Sequence, residues 1–255
     1  QDYEHFNKAS KFPLLNVIQG RTAKEADAWY TMAKQFSFDG WAFAGDLKED
    51  LYEVIRRVLI LLHEGRLNKD ENWIHFLGLG KFKLAVLLTV LRDCIRSKTG
   101  DQDFHISMDT SSPGRSAMQY RRVYTETNFT AKSFVLKATD FPFNDPKHLG
   151  SSQPFPYPSS PIGRVLKMGD LIVKKGAHKN SRMDMLSACM LANHNYYVYS
   201  KAMLEANQLL EKHPALIVDK VPVFIQDAKR AIEDIFNSSD PFSTLKKFKK
   251  ILDRV

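Results

Sequence analysis

The stretch from Leu14 to Asp46, LLNVIQGRTAKEADAWYTMAKQFSFDGWAFAGD, contains one complete strand, helix and strand. It opens with the apolar run at residues 14–18, which is short and bounded by proline and glycine, as in a strand buried on both faces. Alanine and aromatic residues then recur at helical spacing over residues 22–36, after Thr22, whose side chain can cap a helix. A second apolar run, Trp41–Ala44, follows. The stretch therefore predicts two strands joined by a helical crossover.

The same unit repeats further along the chain. Asp46 can cap a second helix that ends near Gly65, and a third helix is predicted over residues 81–97. Apolar runs at residues 73–77 and 104–108 supply the third and fourth strands. Four strands that alternate with three helices predict an α/β fold, with parallel strands joined by right-handed crossovers.

The pattern changes after this sheet. Antiparallel strands are predicted over residues 119–139, and six prolines within residues 140–163 indicate a long irregular loop. A hairpin is predicted at residues 165–173, and later helices should break near Pro214 and Pro222. We therefore divide the chain into three regions: residues 1–114, the sheet region; 115–180, an antiparallel and proline-rich insertion; and 181–255, a helical C-terminal region.

The composition excludes several classes of protein. The chain has 37 Lys and Arg against 29 Asp and Glu, a net charge of +8, and 44% hydrophobic residues, which is typical of a folded domain. No run approaches the roughly 18 apolar residues that a membrane span needs, so no membrane partner is predicted. Cys94 and Cys189 have no nearby partner, so we predict neither a disulfide framework nor a zinc knuckle. A cytoplasmic location and no cofactor are expected.

The positive charge belongs to the second part of the chain. Residues 1–114 carry 15 Lys and Arg against 16 Asp and Glu, whereas residues 115–255 carry 22 against 13. This asymmetry favours a polyanionic partner, most often nucleic acid, although a solvated basic face without a partner is the alternative. The candidate nucleic-acid contacts are Arg115, Arg121, Arg122, Lys174 and Lys175.

The residues that follow each strand are the first candidates for a binding site, because ligands of parallel α/β folds collect at the carboxyl ends of the strands. The glycines among them would let the backbone approach a flat ligand, and Gln19 can both donate and accept hydrogen bonds at the edge of a heterocycle. Ordinary turn chemistry is the alternative for each glycine alone. The candidates are Gln19, Gly20, Ala44, Gly45, Leu77 and Gly78.

Asp109 ends the fourth strand and precedes Thr110, Ser111 and Ser112. Such a carboxylate can close the strand in an Asx-turn with the hydroxyls and amides that follow. Alternatively it is a nucleophile, because a carboxylate can attack an anomeric carbon and form a covalent glycosyl intermediate that a second acceptor resolves.

Four segments resemble motifs of the tRNA-guanine transglycosylases. Residues 15–20 resemble the family's "VQGG", and residues 38–45 resemble "GF(D/E)GYAIGG". Residues 76–80 look like "YLMGVG", and residues 108–115 look like "FDCVxPTR", in which the aspartate is the family's nucleophile. The order and spacing agree from residue 14 to residue 115, so the resemblance covers the sheet region.

The resemblance implies a fold and a reaction. It implies the second half of a (β/α)8 barrel and an exchange of guanine for a 7-deazaguanine in a nucleic acid. Asp109 would be the nucleophile, and Arg115 would contact a phosphate. The six candidate residues after the first three strands would bind the base, with Leu77 as its apolar wall and Ala44 and Gly45 in place of the family's glycine pair.

The chain also departs from the family. The usual zinc site has a Cys-x-Cys-x-x-Cys run and a later histidine, whereas here His194 has only Cys189 nearby. Three soft ligands cannot be assembled, so we predict no metal and a hydrogen-bonded structural role for His194.

The family's N-terminal half, which supplies its general base, has no counterpart in this sequence. Because four strands would leave two open edges, the expected partner is an N-terminal half or a second chain that completes the barrel.

The nucleic-acid substrate is a separate question. The missing zinc ligands, the insertion at residues 140–163 and the basic second part all differ from the tRNA enzymes, and some relatives modify DNA, so DNA is favoured over tRNA. In the insertion, Phe155 and Tyr157 could stack on an opened strand. A non-catalytic partner subunit and a basic binding module without chemistry are the alternatives, and the retained Asp109 argues against the former.

Overall fold

The computed structural model describes residues 12–174 and 181–255, which form two compact units. The first unit contains the described residues up to Thr110 together with Val223–Val255, and the second unit contains Ser111–Pro222. Each unit has its own strands, helices and buried side chains.

The first unit is built on a four-stranded parallel sheet whose strands alternate with helices. The elements are β1 (Leu15–Ile18), α1 (Ala23–Ala33), β2 (Gly40–Phe43), α2 (Leu51–His63), β3 (Trp73–Phe76), α3 (Phe82–Thr99) and β4 (His105–Met108). The predicted α/β class and the predicted parallel sheet are confirmed.

The strands lie in the order β1-β2-β3-β4, so each crossover adds the next strand at the same edge of the sheet. One face of the sheet carries side chains that are buried, namely Asn16, Ile18, Trp41, Phe43, Ile74 and Phe76. The opposite face carries Trp73, His75 and Ser107, which stay partly exposed. Right-handed crossovers that all run in one direction place every connecting helix on one face, which explains this difference.

Local capping starts two of the helices. Thr22 accepts a hydrogen bond from the Glu25 amide at the start of α1, as predicted. The second helix differs from the prediction, because Asp46–Glu49 forms a separate 3-10 turn and α2 begins only at Leu51. Its cap is Asp50, whose carboxylate accepts from the Glu53 amide.

The second unit combines an antiparallel hairpin with a long helix. Its elements are α4 (Ser112–Met118), β5 (Arg122–Thr130), β6 (Ser133–Asp140), α5 (Met168–Leu171), β7 (Val173–Lys174), β8 (Ser181–Arg182) and α6 (Met185–Leu210). The pairing of β5 with β6 confirms the predicted antiparallel strands. Between β6 and α5 the chain is irregular apart from one 3-10 turn at Pro146–His148 and an isolated antiparallel bridge between Pro154 and Lys167.

The hairpin predicted at residues 165–173 is wrong. This segment forms α5 instead, and the strand pairing is between β7 and β8. Gly169, the expected turn residue, lies inside α5, where an added Cβ would come within 2.6 Å of the Ser151 backbone nitrogen. Gly169 therefore permits a close backbone approach and does not form a hairpin turn.

The last two helices, α7 (Val223–Asn237) and α8 (Pro241–Leu252), belong to the first unit. Lys83 of α3 lies 4.8 Å from the centre of the Phe224 ring, and Lys249 lies 4.5 Å from that of Tyr52 in α2. The region predicted as residues 181–255 is thus divided, with α6 in the second unit and α7 and α8 packed on the helices of the sheet.

Within the two described ranges, every helix is too short or too polar to cross a membrane. The two cysteines, Cys94 and Cys189, are both free.

Candidate active site

The residues predicted at the strand ends form one row along the carboxyl edge of the sheet. The register pairs Ile18 with Phe43, Phe43 with Phe76 and Phe76 with Met108. The ladder continues one residue beyond these pairs. The Ala44 amide donates to the Ile18 carbonyl at 2.9 Å, the Leu77 amide to the Phe43 carbonyl at 3.0 Å, and the Asp109 amide to the Phe76 carbonyl at 3.3 Å. Strand pairing therefore brings Ala44, Leu77 and Asp109 together although they lie more than 30 residues apart in the chain.

Asp109 presents an exposed carboxylate at this edge. Its side chain is 59% exposed, and Oδ1 accepts a hydrogen bond of 2.8 Å from the Gly78 amide. The Nε2 atom of His75 lies 3.2 Å from the same oxygen. Gly78 has a φ of 65°, a left-handed conformation in which glycine carries no strain, and the turn it makes aims its amide at Asp109. The carboxylate is thus held through Oδ1 and remains exposed to solvent.

A chain of polar contacts leads to this carboxylate along the less covered face of the sheet. Trp73 Nε1 donates to Ser107 Oγ at 2.6 Å, and Ser107 Oγ lies 2.8 Å from His75 Nδ1. With the contact between His75 Nε2 and Asp109, these hydrogen bonds link two side chains of β3 to Ser107 of β4 and to Asp109, the residue after β4.

The hydrogen bond from Gly78 lowers the pKa of Asp109, partial burial opposes this effect, and the His75 contact lowers the pKa further. The pKa of this carboxyl group therefore lies below its ordinary value of about 4. At neutral pH the group is a carboxylate, the form that a nucleophile requires.

The loops that hold the candidate base-binding residues pack tightly against each other. A Cβ on Gly20 would lie 2.5 Å from the Ala26 nitrogen, and a Cβ on Gly45 would lie 2.8 Å from the Gly20 carbonyl oxygen. Gly45 also has a positive φ of 72°. Packing alone thus requires glycine at both positions, without any contact to a ligand.

The cavity described beside these loops is too small for a heterocycle. Gln19 is exposed, and the cavity beside Gln19, Gly20 and Ala44 has a volume of only about 20 Å³. Ligand pockets usually reach several hundred Å³, so a base bound here would need walls from elsewhere. Leu77 is 38% exposed and is available as an apolar wall.

A larger cavity of about 870 Å³ lies in the first unit away from this edge. Its walls include Leu67 and Asp101, which precede β3 and β4, together with Phe236 and Phe242 of α7 and α8. It therefore lies at the amino ends of the strands, where no predicted site residue is found.

The arginines predicted to contact nucleic acid have different partners in the structure. Arg122 pairs with Asp140 across the hairpin at 3.2 Å, so its charge is partly neutralised. Arg115 donates to the Tyr120 hydroxyl at 3.2 Å, and the Arg121 guanidinium lies 5.8 Å from the centre of the Phe143 ring. Lys174 ends β7, but its side chain lies outside the described part, as does Lys175 altogether.

His194 is fully buried in the second unit and uses both ring nitrogens. Nε2 donates to the Tyr124 carbonyl at 2.8 Å, and Nδ1 lies 2.7 Å from Ser160 Oγ. Burial lowers the pKa of His194, which keeps the ring neutral, and the bond to Tyr124 only partly opposes this. The expected structural role therefore agrees with its surroundings. Among the described residues, no cluster of three or more His, Cys, Asp or Glu could hold a metal ion.

The neighbouring Asn195 completes this arrangement. Its Oδ1 accepts from the Tyr124 amide at 2.8 Å, and its Nδ2 donates to the carbonyls of Pro113 and Arg122 at 3.1 and 2.9 Å. His194 and Asn195 therefore bind both backbone groups of Tyr124 and fix β5 to α6.

His75, whose side chain contacts the carboxylate of Asp109, was not among the predicted site residues. The predicted residues all follow a strand, whereas His75 lies inside β3. The alternation of side chains along a strand was the available signal, because it places His75 on the same face as Leu77. Comparison with known proteins found no matching family model, no matching curated protein and no matching solved structure.

Proposed function

We propose that this chain belongs to a base-exchange transglycosylase that replaces guanine in DNA with a 7-deazaguanine. The observation that carries the proposal is the Asp109 carboxylate, which is exposed, has a lowered pKa and lies at the carboxyl edge of a parallel sheet. The resemblance of residues 108–115 to the family's nucleophile motif supports the same assignment.

In the proposed reaction, a carboxylate oxygen of Asp109 attacks the sugar C1′ as the bond from C1′ to the guanine nitrogen breaks. Guanine leaves with the electron pair and takes a proton from water or an acidic group. A nitrogen of the 7-deazaguanine then attacks C1′, the ester bond breaks, and the base loses its proton to water or a basic group. Two displacements at one carbon account for a covalent intermediate.

We further propose that the sheet is half of a (β/α)8 barrel. The sequential order of its strands supports this, since barrels add strands in chain order whereas open doubly wound sheets reverse direction. The partly exposed face that carries His75 would then become the barrel interior. The missing walls of the base pocket would come from an N-terminal half or a second chain.

Closure of the barrel would require one local change. Trp29 Nε1 donates to the Val17 carbonyl at 2.7 Å. The Ile18 carbonyl accepts from the amide of Ala44, the residue after β2, so the Val17 carbonyl faces the opposite edge of β1. A strand added there would compete with the Trp29 indole for this acceptor.

The preference for DNA rests on the basic residues 115–255 and on the absence of the family's cysteine run from the sequence. The suggested stacking role of Phe155 is not retained, because this ring is buried against His194 at a centroid distance of 5.2 Å. A guanine in duplex DNA must be flipped out, which costs a few kcal/mol and needs contacts to the opened strand.

The experiment offers matched duplex DNA, single-stranded DNA and tRNA to the full-length protein with a radiolabelled 7-deazaguanine. We expect incorporation into DNA and its loss in Asp109→Asn, which keeps the shape of the side chain and removes the nucleophile. Asp103→Asn is the matched control, because it removes an equal charge from an exposed residue near the amino end of the same strand.

Incorporation into tRNA alone would show that tRNA, and not DNA, is the substrate, and it would leave the assignment of Asp109 intact. Unchanged exchange in Asp109→Asn would refute that assignment. Incorporation into none of the three would favour a non-catalytic subunit.

A further inference from the structure

We propose that His75 is a positioning residue that holds Asp109 Oδ1, so that Oδ2 is the atom that attacks the sugar and later leaves it. This inference rests on the proposed function and adds a residue that the motif resemblance does not include. Its basis is that two donors, the Gly78 amide and His75 Nε2, reach the same oxygen at 2.8 and 3.2 Å.

The direction of the hydrogen bonds follows from the chemistry of Trp73. An indole nitrogen can only donate, so Ser107 Oγ accepts at its 2.6 Å contact with Trp73. The Ser107 hydroxyl proton is then free to point at His75 Nδ1, 2.8 Å away. With Nδ1 as an acceptor, a neutral imidazole carries its proton on Nε2 and donates it to Asp109.

The packing of these rings favours one orientation of the imidazole. The Trp73 ring stacks on His105 with centroids 5.2 Å apart and meets His75 edge-on at 6.3 Å. The His75 side chain is 19% exposed, whereas that of Asp109 is 59% exposed. The His75 ring is therefore largely enclosed, while the Asp109 carboxylate faces solvent.

This arrangement acts differently on the two displacements. Once Oδ2 is bonded to C1′, Oδ1 is the ester carbonyl and keeps both donors. When the C1′–Oδ2 bond breaks, its electron pair returns to the carboxylate, and the two donors stabilise the charge that collects on Oδ1. A carboxylate with a lowered pKa is a weaker nucleophile but a better leaving group. His75 should therefore speed release of the intermediate more than its formation.

The test measures decay of the covalent adduct between protein and nucleic acid, made with wild-type protein and with His75→Phe. Loss of one hydrogen bond to a charged group should slow transfer to the incoming base by about 10- to 100-fold, so the adduct accumulates in the variant. His75→Gln, whose amide can donate, should restore part of the rate. His105→Phe is the matched control, because it keeps an aromatic ring against Trp73 and should leave the rate unchanged.

Adduct decay at the wild-type rate in His75→Phe would overturn the inference while leaving the proposed function in place. Absence of any adduct in wild-type protein would count against the proposed function. The hydrogen-bond chain is then tested separately by ¹⁵N NMR of the imidazole. We expect the ring proton on Nε2 and a loss of this preference in Ser107→Ala. A ring proton on Nδ1 would refute the assigned direction.

Discussion

Replacement of Asn195 by alanine should severely destabilise the second unit. The side chain is fully buried and makes three hydrogen bonds to backbone groups, one to the Tyr124 amide and two to the carbonyls of Pro113 and Arg122. Alanine would remove all three bonds from this buried site. At ~1 kcal/mol or more for each lost bond, the free energy of unfolding should fall by about 3 kcal/mol.

The measurement is urea denaturation followed by far-ultraviolet circular dichroism. With an m-value of roughly 1.5–2 kcal/mol per molar urea, the midpoint should fall by about 1.5–2 M. Fluorescence provides a second signal, because all three tryptophans, Trp29, Trp41 and Trp73, lie in the first unit. The urea midpoint should therefore fall more when followed by circular dichroism, which reports the helices of both units, than when followed by fluorescence, which reports the first unit.

Asn193→Ala is the matched control. This residue lies on the same helix two positions away, is exposed, and makes one hydrogen bond, to the Cys189 carbonyl within its own helix. We expect a change within about 0.5 kcal/mol. If Asn195→Ala were no more destabilising than Asn193→Ala, the three buried bonds would contribute little and the reasoning would fail.

Four further results are expected. Affinity for duplex DNA, measured by fluorescence anisotropy, should fall with salt at a logarithmic slope of roughly 0.9 per neutralised phosphate, and a flat response would favour a solvated basic face. Arg115→Ala should weaken binding more than Arg122→Ala, because Asp140 already pairs with Arg122. Elemental analysis of protein purified without chelator should find no zinc, and one equivalent would show that further ligands act with His194. The folded-state pKa of His194 lies below the ordinary value of about 6.5. The free energy of unfolding should therefore keep the full contribution of His194 above pH 6.5 and lose it as pH falls through the folded pKa. The loss should be less steep in His194→Gln.

The local pattern of the sequence was sufficient for the sheet. Short apolar runs bounded by glycine or proline predicted β1 to β4 within about a residue, because strands buried in parallel sheets are apolar and must end where the chain turns. Capping residues acted similarly, as Thr22 starts α1. The start of α2 was misplaced because Asp46 and Asp50 can both cap a helix, and in the structure Asp50 is the cap.

The candidate site was predicted in part. The motif order and the carboxyl ends of the strands pointed to Asp109 and Leu77, which the register brings into one row. Only the tertiary structure added His75, because its contacts with Ser107 and Asp109 join residues 32 and 34 positions apart. Sequence alone determined which segments become the four strands of the parallel sheet, since that depends on neighbouring residues. The tertiary structure decided which side chains meet, because strand register and helix packing depend on contacts between distant parts of the chain.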